Sequence, residues 1–220
     1  MRPNLPFLIA VTLLFAACEN PVKRAARNAG YAAYEVVGVQ KRDILKKRIS
    51  ETREDQKAAG EQFADSLEKL QKMYNLKGGA LESQYRRVKS SYDDSKEKVQ
   101  DVKNSRLKME TVASDLFREW EGEIGEIKTA EFKEKSRAKL EVTRAKFNDL
   151  NRSLAASEAK MDPVLDRLND HMLYLKHNLN AQSVAQLKTE NARIENEIKT
   201  LIHNMNQSIR EADTFIKTIE

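Results

Sequence analysis

The 220-residue chain is 33% charged and 6% aromatic, with only 7 Gly, 4 Pro and a single Cys. One cysteine excludes an internal disulfide and a cysteine-rich metal cluster, and 40% apolar residues in regular spacing exclude a disordered chain. The net charge of +5 comes from residues 21–60, where 10 basic side chains meet 5 acidic ones; residues 61–220 balance 28 against 28, unlike a nucleic-acid-binding coiled coil with bases spread along a face.

The chain opens with Met1-Arg2 and an apolar run, Leu5 to Phe15, of secretory-signal length and short for a membrane span. The run ends in Phe15-Ala16-Ala17-Cys18. Small residues let a peptidase approach the backbone, and the thiol can accept a diacylglyceryl group. The pattern resembles the bacterial lipobox, with Phe15 where Leu is usual. The alternative is an ordinary signal peptide beside a coincidental Cys. Residues 1–17 are therefore expected to be a lipoprotein signal peptide and Cys18 the lipidated residue. Glu19 rather than Asp follows, which by resemblance to the sorting rule of enteric bacteria favours the outer membrane. Residues 18–30 are expected to form a basic tether. Its Lys23, Arg24 and Arg27 would either face anionic headgroups or be solvated.

Beyond the tether, heptad patterns dominate. The first long segment, 31–74, carries Leu45, Ile49, Thr52, Gln56, Ala59, Phe63 and Leu70. "NLKGGAL" at 75–81 is the clearest turn. The second segment, 81–122, carries Leu81, Tyr85, Val88, Tyr92, Ser95, Val99, Val102, Arg106, Met109, Ala113, Leu116 and Trp120. A two-glycine connection follows, with Thr129 as the expected helix N-cap. The third segment, 130–178, repeats from Leu140 through Phe147, Leu154, Met161 and Leu168 to Leu175. Pro163 should kink it locally. "KHNLNAQS" at 176–183 breaks the pattern.

The fourth segment, 183–219, has the seam Val184, Leu187, Asn191, Ile194, Ile198, Leu201 and Met205. Beyond Met205 the strict repeat lands on Ser208, so the seam is expected to drift toward Ile209 and Ile216. Short connections between long helices predict an all-α fold: an elongated antiparallel up-down-up-down bundle, or coiled coil, of about four helices forming one domain over 31–220. Helices of roughly 40–45 residues would give a rod of about 60–70 Å. Facing residues should include Phe147 with Phe215, Leu168 with Ile194, and Phe63 with Tyr92.

"VGVQKRDILKKRI", "NLKGGALES", "ASDLFREWEGEI" and "MDPVLDRLNDHMLYLKHNLNAQSVAQL" together resemble an uncharacterised bacterial family, domain-of-unknown-function family 2959. The resemblance covers most of residues 31–220. It implies a secreted or lipid-anchored helical protein of a Gram-negative bacterium, and it brings no catalytic residues.

The spacing of His171, His177 and His203 matches no zinc helix, and no Glu-x-x-His pair marks a di-iron bundle. No enzyme activity, cofactor, metal, nucleic acid or small-molecule substrate is expected. Arg106 and Asn191 on seam positions are read as register-fixing polar residues. The expectation is an outer-membrane lipoprotein facing the periplasm, acting as a spacer or adaptor that binds an envelope protein. The alternatives are a self-assembling rod and a cytosolic coiled coil involved in DNA binding or repair. The connections at 75–81 and 176–183 share one end, where Tyr74, Tyr174 and His177 are either a partner-binding tip or residues packed beneath the loops.

Overall fold

A computed structural model describes residues 20–36, 40–76 and 80–219, and every element among them is an α-helix. In chain order these are α1 (Pro21–Val36), α2 (Lys41–Tyr74), α3 (Leu81–Glu126), α4 (Ala130–Glu158), α5 (Met161–His177) and α6 (Ala181–Thr218). The chain divides into two compact units, Met1–Gln40 and Lys41–Glu220. Within the second unit, α2 packs on α3 and α6, α4 packs on α3 and α6, and α5 continues along α3 and α6. At about 1.5 Å per residue, α3 alone is about 70 Å long.

The first unit contributes α1. Asn20 starts it by accepting a hydrogen bond from the Val22 N–H at 3.0 Å. Pro21 occupies the first helical position, where its missing N–H costs nothing. The basic stretch expected as a tether is thus helical from Pro21 onward.

In the second unit the third predicted helix is two helices. Pro163 is the third residue of α5, not an interior kink. Its ring would crowd the Ala159 carbonyl, and it has no N–H to offer that carbonyl. The chain therefore turns at Ala159–Lys160, three residues earlier, and restarts with Pro163 inside a first turn that needs no donor there. At the next break, Asn180 caps α6 by accepting from the Ser183 N–H at 2.9 Å. The sequence places Thr129 correctly as the α4 N-cap residue, but its hydroxyl makes no capping bond.

The heptad reading of α4 and α5 holds at every layer from Leu140 to Leu175, and all seven seam residues named for α2 are buried. On α6 the expected drift does not occur. Ser208 is fully buried and Ile209 only half-buried, so the strict repeat continues through Ala212 and Phe215. The Ser208 hydroxyl makes this possible by donating to the Met205 carbonyl at 2.9 Å and reaching Gln56 Oε1 at 3.4 Å. On α3 the seam departs from expectation near its end: Phe117 and Ile124 are buried, whereas Leu116 and Trp120 are half-buried.

The antiparallel registers are fixed by contacts far apart along each interface. Between α2 and α3, Ser66 meets Ser91 and Ser95 at 2.7 and 2.9 Å, and Lys41 pairs with Glu119. Between α4 and α6, Phe147 and Phe215 lie ring to ring with centroids 5.8 Å apart. Between α2 and α6, Arg53 pairs with Asp213 at 2.7 Å and Gln71 with Glu195 at 3.1 Å. One core cluster runs from Ala59 and Phe63 through Val99, Leu168 and Ile194 to Met205.

Gly60 is buried within α2, where a helical glycine is unfavourable relative to alanine. A Cβ there would lie 3.8 Å from Met205 Cε, an ordinary contact. Gly60→Ala should therefore raise the unfolding free energy by about 0.5–1 kcal/mol. A urea midpoint unchanged or lowered by this substitution would contradict the packing.

Candidate functional site

The residues singled out in the sequence fall in two regions: the basic helix that follows Cys18, and the end of the second unit where α2 and α5 finish and α3 and α6 begin. Cys18 itself lies outside the described residues. On α1, Lys23 and Arg24 are exposed and Arg27 is half-buried. Val22 beside them is 73% exposed.

At the second region Lys188 donates to Asn75 Oδ1 at 3.2 Å, which ties the start of α6 to the end of α2. The three tip residues are placed differently from one another. Tyr74 is buried, 5% exposed, and its hydroxyl bonds His171 Nδ1. It packs beneath the end and offers no contact surface. Tyr174 is 37% exposed, and its hydroxyl donates to Gln186 Oε1. His177 is exposed in the last turn of α5. The accessible surface here therefore comes from Tyr174, His177 and the loop asparagines. Sequence reading did not find the Tyr74–His171 pair, because 97 residues separate its members and neither stands on a predicted shared layer.

Burial lowers the pKa of His171 below the ordinary imidazole value, and Arg167 adds to this. Asp170 and Glu190 oppose it. The unfolded chain therefore binds the proton more readily. The stability contributed by neutral His171 is present above about pH 6.5 and is lost as pH falls through the lower folded value. The difference in urea midpoint between pH 7.5 and pH 5.5 should be larger in the wild type than in His171→Gln, which keeps a polar side chain but cannot titrate. Equal differences would exclude His171 as the origin.

Other polar groups inside the second unit join helices to one another. Gln56 and Ser157 exchange hydrogen bonds at 2.9 and 3.0 Å, and with Ser208 they form a buried layer across α2, α4 and α6. Arg106, read as a register residue, bonds Glu158 at 2.5 Å and Glu110 at 2.6 Å, and Asn151 also donates to Glu110. Asn191 is half-buried and its Oδ1 has no hydrogen-bond partner among the described residues. A groove of about 380 Å³ opens at the α4–α5 break, walled by Pro163, Val164, Leu201 and the paired Arg167 and Glu197. Among the described residues no three His, Cys, Asp or Glu side chains converge to hold a metal ion. No described helix is long and apolar enough to cross a membrane.

The described residues form an all-α protein in which several buried polar groups, among them Gln56, Ser66, Ser91 and Ser157, join one helix to another. The family described as "Protein of unknown function (DUF2959)" matches residues 30–219, and the chain belongs to that family. No curated protein matches it.

Proposed function

We propose that this protein is a lipid-anchored component of the bacterial cell envelope, acting without catalysis as a spacer or adaptor through helical protein–protein contact. The observation that carries this reading is the apolar run Leu5–Phe15, which ends at the only cysteine of the chain and is followed by a basic helix. Diacylglyceryl and acyl chains on Cys18, at about 0.8 kcal/mol per buried methylene, would make attachment effectively permanent. Outer-membrane sorting follows from Glu19, and Lys23, Arg24 and Arg27 would meet anionic headgroups.

In the finer architecture we assign to the second unit, α2, α3, the broken α4–α5 and α6 are the legs of an up-down-up-down bundle. The antiparallel registers of α2 with α3 and of α4 with α6 support it. Such a bundle presents Tyr174 and His177 at one end, opposite the end where the chain enters α2. That distal end is the proposed contact for an envelope partner.

Cells expressing the chain should incorporate labelled palmitate into it, and Cys18→Ala should abolish the label. A photo-crosslinker at position 177 should capture a specific envelope protein from intact cells, whereas one at Lys96 on the helix side should not. Absence of palmitate from the wild type removes the anchor. Capture at 96 but not 177 removes the distal contact.

A further inference from the structure

The apolar interior of the second unit is divided. The core cluster that contains Leu175 and Val184 has Ala59, Val102, Met161 and Met205 as its members nearest the start of α2. Leu45, Met109, Leu154, Ala212 and Phe215 are also buried but stand outside that cluster. Between the two sets α2, α3, α4 and α6 each place a polar side chain inside. Gln56, Ser105, Ser157 and Ser208 are no more than 6% exposed. Ser105 stands between Val102 and Met109, Ser157 between Leu154 and Met161, and Ser208 between Met205 and Ala212. They share one level: Gln56 bonds both Ser157 and Ser208, and Arg106 beside Ser105 bonds Glu158 beside Ser157.

Three further features fall at this level. The α4–α5 break at Ala159–Lys160 lies directly beyond Ser157. On the α3 side the break is bridged, because Arg106 holds Glu158 before it at 2.5 Å and Lys103 holds Asp162 after it at 2.7 Å. On the α6 side it lies between two grooves, of about 390 and 380 Å³, that share Lys160 as a wall. Asn204 lines the first groove, and its buried Nδ2 has no hydrogen-bond partner among the described residues. An unpaired buried donor costs free energy that hydration returns when helices part.

We infer that the polar layer is a parting plane built into the bundle. Under native conditions the lobe formed by the Leu175 cluster opens as one unit while the lobe of Leu45, Phe147 and Phe215 stays closed. An apolar layer couples the turns on either side of it, since opening either one exposes that layer to water. A layer of hydroxyls and an amide exchanges internal hydrogen bonds for water at little net cost, so it couples them weakly. The closed lobe is tied across three helices by the row Phe117, Phe147 and Phe215. The opening lobe holds α5, a 17-residue helix with a break at each end, and Asn191, whose buried Oδ1 is also unpartnered. α2, α3 and α6 run through the plane unbroken, so the lobes remain joined. Tyr174 and His177 belong to the opening lobe, which leaves that end free to rearrange around a partner. Only this last consequence rests on the adaptor reading.

Native-state hydrogen exchange of the full chain at urea concentrations below the global transition, read by mass spectrometry of peptic peptides, tests the plane. Peptides within 61–74, 84–100, 163–176 and 186–203 should exchange together, about tenfold or more faster than those within 43–52, 109–120, 140–154 and 209–217. Gln56→Leu with Ser157→Ala and Ser208→Ala makes the layer apolar and should bring the two groups to within about threefold of each other. Gln56→Met alone keeps the side-chain volume, and both serines retain their own-helix acceptors, the carbonyls of Leu154 and Met205. It should narrow the gap in the same direction even if circular dichroism shows the triple variant to be misfolded. One common rate for all wild-type peptides, faster exchange on the Phe147 side, or a gap that Gln56→Met leaves unchanged would overturn the inference. Lipidation of Cys18 and crosslinking at position 177 enter none of these readings, so a failure here is distinct from a failure of the anchor or of the distal contact.

Discussion

Phe147→Ala should lower the unfolding free energy by about 3–5 kcal/mol, among the largest losses expected from any single substitution in the chain. Phe147 is 5% exposed and central to a three-ring row. Its ring meets Phe117 of α3 edge-on, with centroids 5.6 Å apart, and Phe215 of α6 at 5.8 Å. Edge-to-face pairs add about 0.5–1.5 kcal/mol beyond the area they bury, and truncation at the centre removes both pairs at once. Three helices lose a shared contact, so collapse of the cavity would require all three to move. Phe132→Ala, at an exposed site on the same helix, should change stability by less than about 0.5 kcal/mol. Urea unfolding followed by far-ultraviolet circular dichroism reads both. Similar midpoint shifts for the two would show that Phe147 is not a core residue.

The second large effect belongs to the α5–α6 interface. Leu168 and Ile194 are each 1% exposed and lie in the same core cluster. Leu168→Ala or Ile194→Ala should cost about 2–5 kcal/mol. The double substitution should cost less than the two together if they share one cavity. Lys199 makes an exposed pair with Glu195, and Lys188 an exposed bond to Asn75. Alanine at either should shift stability by less than about 0.5 kcal/mol. Equal thermal shifts for the leucine and lysine substitutions would overturn the assignment of this seam.

The sequence exposes the helices because an apolar residue every three or four positions leaves few other solutions in so polar a chain. It is clearest in α4 and α5, where each seam residue from Leu140 to Leu175 is buried. The pairing of Phe147 with Phe215 follows from the same spacing. What escapes the pattern is polar burial. Ser91, Ser105 and Gln84 fill the interior of α3, and Ser208 holds the α6 repeat in step, because hydroxyls and amides find partners that apolarity cannot anticipate. Near the end of α3, adjacent Leu116 and Phe117 compete for one layer. Phe117 takes it because Phe147 stands opposite. The division of the third segment was visible as Pro163, but its position three residues upstream depends on which carbonyl the proline ring meets.

The candidate site was legible in location and less so in exposure. Tyr74 and Tyr174 stand at one end, as their places beside two turns require. Only the fold reveals that Tyr74 turns inward to His171 while Tyr174 stays outside. The residue on which the proposed anchor depends, Cys18, rests on sequence pattern alone.

The pairing of α2 with α6 has a consequence for how the chain acquires its structure. Its contacts join residues 124 to 160 positions apart, whereas those of α2 with α3 begin only 15 apart. A chain emerging from its amino end can therefore zip α2 onto α3 early. The other flank of α2 must wait for the last 38-residue helix before it is sheltered. Until then Gln56 lacks its Ser208 partner, and Gly60 lies bare where Met205 will settle. The final helix is thus the closing stave, and the interval before its arrival is when the nascent protein exposes the most adhesive surface to its surroundings.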